Sequence, residues 1–206
     1  MNAEEQMRKF PWLVASFSLN AAFVYLTFYA SVFVLFLDEL HLDKTQIGFV
    51  LSLFPFCGVV ALMVAPWVER FGYKRTFLWF FATRKFIMMG VLFTPLVLAH
   101  YGPSAAFYFV AGLMLLFGLW RAIGETAYYP WTQEVIPMAT RGRCDAILLI
   151  TANGVAALSM GVASYVIGHG TGLSRFMWLI GGAVVVGLVS VGLAFPIPGG
   201  APVTGR

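Results

Sequence analysis

Residues 11–37 form one apolar stretch, PWLVASFSLNAAFVYLTFYASVFVLFL, that contains no charged side chain. A helix needs about 20 apolar residues to cross the roughly 30 Å hydrocarbon core of a bilayer, and this stretch is longer than that. It also exceeds the apolar core of a cleavable signal peptide and lacks a clear small-residue cleavage site. The stretch therefore predicts a retained first membrane span, with Pro11 suited to the first helical turn.

Further apolar runs of similar length follow along the chain. We expect six spans, at about 11–37, 45–68, 76–99, 105–129, 146–168 and 176–195. None of them shows the in–out alternation of a membrane β-barrel. The sequence predicts an all-α polytopic membrane protein, with a transmembrane bundle over residues 1–198 and a flexible cytoplasmic tail over 199–206.

The composition indicates a protein that faces lipid on most sides. Of the 206 residues, 60% are hydrophobic and 11% are charged, whereas soluble domains carry about 25% charged residues. So few polar side chains cannot cover a soluble surface, which excludes a soluble enzyme, a disordered chain and a disulfide scaffold. Cys57 and Cys144 form neither a disulfide framework nor a metal cluster. We therefore expect no metal and no cofactor.

The basic residues predict the orientation. Six spans place both chain ends on one side, and that side and its helix edges carry eleven of the 13 basic residues: Arg8, Lys9, Arg70, Lys74, Arg75, Arg84, Lys85, Arg121, Arg141, Arg143 and Arg206. Only Lys44 and Arg175 fall on the other side. By the positive-inside rule both termini are cytoplasmic, in the plasma (bacterial inner) membrane. The net charge of +4 thus reflects basic loops and predicts no nucleic-acid partner.

Two of the predicted inner loops carry more specific patterns. The first inner loop, residues 65–75, reads APWVERFGYKR, and the second inner loop, residues 134–143, reads EVIPMATRGR. The first resembles the loop signature of the major facilitator superfamily, G-x-x-x-D-R-x-G-R-[RK]-x, at Glu69, Arg70, Gly72 and Lys74. It departs from that signature at Glu69, which replaces Asp, and at Ala65 and Tyr73, where Gly and Arg are usual. The second resembles the E-x-x-P-x-x-x-R-G segment of that family at Glu134, Pro137, Arg141 and Gly142.

Both patterns stand at the corresponding inner loops of a six-span chain, so the chain is similar to the N-terminal half of a twelve-span transporter. The resemblance implies a six-helix half bundle with a 3+3 inverted repeat. It implies secondary active transport of a small solute by alternating access, and no enzyme activity. The expected partners are the solute, membrane lipid, a proton or sodium ion for coupling, and a second six-helix half or a second copy of the chain.

The resemblance also implies roles for residues of the first inner loop. The acidic residue at the position of Glu69 is associated in the family with a contact between the two halves. A carboxylate at a helix end is favoured by the N–H groups of another helix N-terminus. Gly72 lets the backbone turn tightly. Ordinary positive-inside residues are the alternative interpretation, especially for Lys74.

The resemblance implies that the first, fourth and fifth spans line a solute cavity, so we treat six of their polar residues as candidates for that lining: Asn20, Tyr25, Tyr29, Arg121, Glu125 and Asn153. Arg121 and Glu125 lie i,i+4 on one helical face. A functional pair, a structural ion pair and an arginine that snorkels to the interface all remain open. Each asparagine has the alternative of a hydrogen bond to another helix.

Other charged residues have simpler expected roles. Arg84 and Lys85 interrupt the third span, and we expect them to snorkel to the interface, because the family places that helix at the outside of the bundle. Asp38, Glu39 and Asp43 fall in an outer link and are expected to be solvated.

Two other functions stay open at this point. A rhomboid-like serine protease also has six spans and a G-x-S-[GA] motif, which Gly102-Pro-Ser104-Ala105 fits, with His169 as its base. Ser104 nevertheless falls in a turn, and His169 precedes the sixth helix instead of lying inside it. The other alternative is a scaffold without transport activity, or an incomplete piece of a transporter.

Overall fold

The computed structural model describes residues 3–201, which form helices and no β-strand. The α-helices are α1 (Ala3–Thr27), α2 (Ala30–Glu39), α3 (Lys44–Cys57), α4 (Val60–Phe71), α5 (Tyr73–Met89), α6 (Thr94–Val135), α7 (Arg141–His169) and α8 (Ser174–Ala194). Short 3₁₀ turns at Gly90–Phe93 and Met138–Thr140 precede α6 and α7. The expected all-α class is confirmed for this part of the chain.

Several of these helices are long and apolar enough to cross a membrane. Four stretches meet that condition: Met7–Glu39, Tyr73–Val135, Met138–His169 and Ser174–Ala194. The pair α3 and α4 is a fifth when its two helices, bent by 42°, are taken as one span. The helices are compatible with an integral membrane protein.

The stretch Tyr73–Val135 is too long for a single crossing, and it bends sharply at Gly102. Gly102 has φ 79° and ψ 179°, which is not helical. The ring of Phe77 lies 5.2 Å from that of Trp131, and the ring of Phe80 lies 5.7 Å from that of Trp120. Residues well before Gly102 therefore contact residues well after it, and the residue nearer to Gly102 on one side meets the nearer residue on the other, so the two arms pack antiparallel. The turn expected between residues 100 and 104 is confirmed.

Helix packing fixes which side chains can meet. Helix α1 packs against α7 and α8, and α5 packs against α6 and α8. Helix α6 also contacts α3 and α4. The buried residues form two hydrophobic clusters, one around Phe33, Phe36 and Phe176 and the other around Trp131 and Ile197. Helix α5 is thus covered by other helices on two sides, which matters for its charged residues.

Two acidic residues of the 38–43 segment make specific contacts and are not simply solvated as expected. The carboxylate of Glu39, at the end of α2, forms an ion pair with Arg175 at the start of α8. The Asp43 side chain accepts a hydrogen bond from the Gln46 backbone N–H at 2.8 Å. The Gln46 side chain accepts one from the Asp43 N–H at 3.1 Å. This reciprocal pair caps the start of α3.

Candidate solute cavity

Arg84 and Lys85 of α5 point into the bundle. Their exposed fractions are 6% and 0%. Arg84 Nη2 donates to Asn20 Oδ1 of α1 at 3.0 Å, and Lys85 Nζ donates to the same oxygen at 2.7 Å. The expectation that these two residues snorkel to the interface is wrong. Helix α5 packs against both α6 and α8, so its charged residues are held between helices.

Aromatic rings complete the surroundings of the two cations. Lys85 Nζ lies 3.5 Å from the centroid of the Phe23 ring and 4.5 Å from that of Phe81. Arg84 Cζ lies 4.7 Å from the Phe81 centroid. Cations at such distances are attracted to the negative faces of aromatic rings, by about 2 kcal/mol when desolvated. Ring faces and one amide oxygen therefore hold two buried cations.

A glycine on α8 provides the room for this arrangement. A Cβ on Gly187 would lie 2.9 Å from Phe23 Cδ2 and 3.1 Å from Lys85 Cδ. Contacts that short force neighbouring atoms to move. Any larger residue at position 187 would therefore push against the ring and the lysine stem together.

A cavity of about 230 Å³ borders this cluster, between α1, α5, α6 and the end of α8. Its polar lining includes Asn20, Arg84 and Glu125, and its apolar lining is rich in aromatic rings. Arg84 Nε is buried and has no hydrogen-bond partner within residues 3–201. Arg84 therefore borders the cavity as a cation that has one unused donor.

The orientation of Asn20 follows from its neighbours. Arginine and lysine side chains only donate hydrogen bonds, so the Asn20 oxygen faces them. The Asn20 NH₂ group donates no hydrogen bond to any part of the chain that the structure describes. Asn20 lines the cavity, which leaves this NH₂ group as a second donor there.

Arg121 and Glu125 form the i,i+4 pair that their spacing allows. Arg121 Nε lies 2.7 Å from Glu125 Oε1, and the two side chains are 35% and 43% exposed. Glu125 lines the 230 Å³ cavity. Both residues also line a neighbouring pocket beside Gly58 and Gly118. The pair is thus present, while its role in transport stays a prediction.

The remaining cavity candidates lie on the exposed side of α1 and α7. Asn20 and Tyr25 share a shallow pocket with Asn153, which is itself exposed. Tyr29 is 53% exposed, and its ring lies 5.0 Å from that of Tyr25. Neither Asn153 nor Tyr29 makes a side-chain hydrogen bond within residues 3–201. Asn20 thus borders this open pocket together with Tyr25 and Asn153, and it also binds the buried Arg84 and Lys85.

The first inner loop contains the tight turn that Gly72 predicts. Gly72 has φ 96°, in the left-handed region that favours glycine, and it separates α4 from α5. Glu69 and Arg70 are exposed, and neither forms an ion pair within the described residues. Lys74 Nζ donates to the carbonyl of Phe195 at 2.8 Å. Residues 3–201 therefore contain no ion-pair partner for the Glu69 carboxylate.

The second inner loop connects α6 and α7. Pro137 precedes the 3₁₀ turn, and Gly142 lies in the first turn of α7 with space around it. Arg141 Nη2 donates to the carbonyl of Gln133 at 3.0 Å, which ties the loop to the end of α6. Glu134 Oε2 accepts a hydrogen bond from the Gly200 N–H at 2.7 Å.

The segment after α8 packs against both inner loops. Ile197 is fully buried, and Trp131 Nε1 donates to the carbonyl of Pro198 at 3.0 Å. Gly199 and Gly200 have φ 94° and 72°. A Cβ on Gly200 would lie 2.4 Å from the Lys74 nitrogen. Gly199 and Gly200, which belong to the tail that we expected to be flexible, make these contacts, while 202–206 lie outside the described residues.

The residues of the alternative protease motif do not come together as a hydrogen-bonded pair. Ser104 is exposed beside the Gly102 turn. His169 Nδ1 lies 2.9 Å from the carbonyl of Tyr165 in its own helix. Within residues 3–201 no group of three or more His, Cys, Asp or Glu could hold a metal ion.

Sequence reasoning found Asn20 and Glu125 but missed Arg84 as a cavity residue and Lys85 as its buried neighbour. One signal was available. Asn20 lies nine residues after Pro11, and Arg84 lies eight after Thr76, each counted from the inner end of its predicted span. At 1.5 Å per residue the two residues fall at nearly the same depth in the membrane, which is compatible with a contact between them.

Comparisons with protein-family models, with curated proteins and with solved structures find no match to the chain.

Proposed function

We propose that the chain is a six-span half bundle of the major facilitator type, which moves a small solute across the membrane by alternating access. One observation carries the proposal. A cavity lined by Asn20, Arg84 and Glu125 lies inside a bundle of apolar helices. Arg84 stands about 17 Å along α5 from its start at Tyr73. Ionisable residues at such depth mark solute or ion pathways in membrane proteins.

Contacts between helix ends support the six-span topology. Lys74 of the first inner loop, Glu134 of the second and Gly200 after α8 meet at one end of the bundle. Glu39 at the end of α2 and Arg175 at the start of α8 meet at the other end. Alternate links thus gather at opposite ends, as six crossings require. The many basic residues near the first of these ends favour a cytoplasmic location for it.

The pattern of packing supports the 3+3 repeat. The first span is α1 with α2, and the second span is α3 with α4. The third span runs from the start of α5 to Gly102, and the fourth span is the part of α6 after Gly102. The fifth span is α7, and the sixth span is α8. The first packs against the sixth and fifth, and the fourth packs against the third and second. An exchange of spans 1–3 with spans 4–6 turns the contact between the first and sixth spans into the contact between the fourth and third spans. It likewise turns the contact between the first and fifth spans into the contact between the fourth and second spans. The third–sixth contact maps onto itself, as an inverted repeat predicts.

A second six-span bundle is part of the proposal. Alternating access moves one bundle against another around a solute site between them. Asn153 and Tyr29 are exposed on the surface of one bundle, where an unpartnered amide in hydrocarbon is costly. The Glu69 carboxylate likewise lacks an ion-pair partner within the described residues. A second bundle, from another chain or a second copy, would cover this surface and offer a helix end to Glu69.

The test combines the assembly state with transport. The protein is reconstituted in vesicles, exchange of labelled small metabolites is followed, and mass in mild detergent is measured with and without cross-linking. We expect solute exchange only from an assembly that contains two bundles. Exchange catalysed by a single six-span bundle would refute the second-bundle requirement, and no exchange by a two-bundle assembly across a broad set of solutes would refute transport.

The ion pair on α6 gives a matched pair of variants. Arg121→Ala removes the partner of Glu125 beside the cavity, and we expect it to reduce exchange at least about tenfold. That loss equals one charge-assisted interaction of about 1.4 kcal/mol. Lys44→Ala removes an exposed cation at the outer end and should leave exchange unchanged. Exchange at the normal rate in Arg121→Ala would assign that residue a structural role alone.

A further inference from the structure

We infer that the cavity binds a small organic anion, a carboxylate with an apolar or aromatic body, through Arg84 and Asn20. The inference rests on the proposed function, since it names the class of solute. Its starting point is an imbalance of charge. Arg84 and Lys85 are buried, and neither forms an ion pair with a carboxylate among the described side chains.

Burying a cation without a countercharge is costly. The protein offers the pair one shared amide oxygen and the faces of Phe23 and Phe81. Glu125, the acid that lines the same cavity, acts electrostatically on Arg84 without forming an ion pair with it, and its carboxylate is paired with Arg121 at 2.7 Å. A bound anion would supply the missing charge, and its binding energy would come from an interaction that the empty cavity lacks.

Two residues that border the cavity have unused donors. Arg84 lines the cavity, and its Nε is buried without a hydrogen-bond partner. The Asn20 NH₂ group is also without an acceptor within residues 3–201. A guanidinium presents its N–H groups in a planar fork that matches a carboxylate. Lys85 is behind Asn20, so it adds positive potential and holds the amide in place, and does not line the cavity itself.

The walls favour an organic body over a bare inorganic ion. Apart from the polar groups named above, the cavity is lined largely by apolar and aromatic side chains, including Leu13, Phe17, Phe77, Phe81, Trp131 and Ile197. A strongly hydrated ion such as phosphate would lose its water against these walls with few replacement donors. The volume of about 230 Å³ lies below the roughly 300–1,000 Å³ of drug-sized ligand sites. A small metabolite fits this description.

The test measures binding separately from transport. The protein in mild detergent is heated with sodium benzoate, with benzamide, with sodium phosphate, and with sodium chloride at equal ionic strength. Ligands that bind the folded state raise the midpoint of unfolding in a concentration-dependent way. We expect benzoate to do so, with an apparent Kd at least about tenfold below that of neutral benzamide, the ratio for one charge-assisted contact.

Two variants at the cluster should both abolish the binding of benzoate. Arg84→Gln removes the anchoring charge, so benzoate should no longer raise the midpoint. Asn20→Asp places a fixed carboxylate between the two cations, so it should raise the midpoint of the free protein and also abolish the benzoate effect. Arg75→Gln, an exposed inner-loop cation, is the matched control and should bind benzoate normally.

Several results would overturn the inference: equal effects of benzoate and benzamide, a larger effect of phosphate or chloride than of benzoate, or normal benzoate binding by Asn20→Asp. The comparison of ligands on the unaltered protein stands even if Arg84→Gln fails to fold. Benzoate binding without carboxylate exchange in two-bundle vesicles would refute the proposed function and leave the anion site in place. Exchange of neutral solutes alone would support transport and refute the anion site.

Discussion

Replacing Asn20 by alanine should destabilise the protein far more than its partial exposure suggests. The Asn20 oxygen is the shared acceptor of Arg84 at 3.0 Å and Lys85 at 2.7 Å. Lys85 is fully buried among aromatic rings, so losing a hydrogen bond from its charged group costs about 1.5–3 kcal/mol. Arg84 borders the cavity, where water can replace the oxygen, so its share is about 1 kcal/mol or less. We expect a total loss of about 2–4 kcal/mol.

The measurement is the free energy of unfolding in mixed micelles, from titration with a denaturing detergent followed by circular dichroism. Asn153→Ala is the matched control, because Asn153 is exposed and makes no side-chain hydrogen bond within residues 3–201. It should change the free energy of unfolding by no more than about 0.5 kcal/mol. If Asn20→Ala changes the free energy of unfolding by no more than that amount, or if the two variants lower it equally, the role of Asn20 in holding the buried cations is refuted.

Two further predictions concern topology and packing. A single cysteine at Thr171, in a cysteine-free background, should react with an impermeant reagent added outside intact cells, whereas one at Thr140 should react only after lysis. The reverse labelling would invert the orientation. Gly187→Ala should lower the free energy of unfolding by about 1–3 kcal/mol, because its Cβ would lie 2.9 Å from the Phe23 ring. Gly182→Ala, in open space on the same helix, should not lower it, and equal effects of the two changes would contradict the packing at Gly187.

Much of the helical framework follows from the sequence, because uncharged runs of more than 20 residues leave the backbone few alternatives in a bilayer. The turn at Gly72 was also predictable, because glycine is the residue that adopts a positive φ without strain, and Gly72 has φ 96°. Breaks within spans were not predicted. Helix α1 ends at Thr27 and α2 begins at Ala30, inside a run whose hydropathy gives no sign of it.

The buried cations show where hydropathy reasoning fails. It assigns a charge in an apolar run to the interface, because burial of one isolated charge is unfavourable. Arg84 and Lys85 are buried because Asn20 and Phe23 of α1 contact them, together with Phe81 of their own helix. Gly187 from a third helix leaves the space. That environment depends on α1, α5 and α8, which are far apart in sequence, so a scan along the chain does not detect it.

The segment after α8 also has a mechanical consequence. The Gly200 carbonyl accepts a hydrogen bond from the Lys74 N–H, and the Gly200 N–H donates to Glu134, so a single residue clamps the start of α5 to the end of α6. The two inner loops are joined through Gly200, so they should move together as one rigid body when the bundle tilts. Deuterium uptake at the amides of Lys74 and Gly200 should then slow or accelerate in parallel. A substitution such as Gly200→Val should release both amides at once, while the amides of the Glu39–Arg175 end keep their rates.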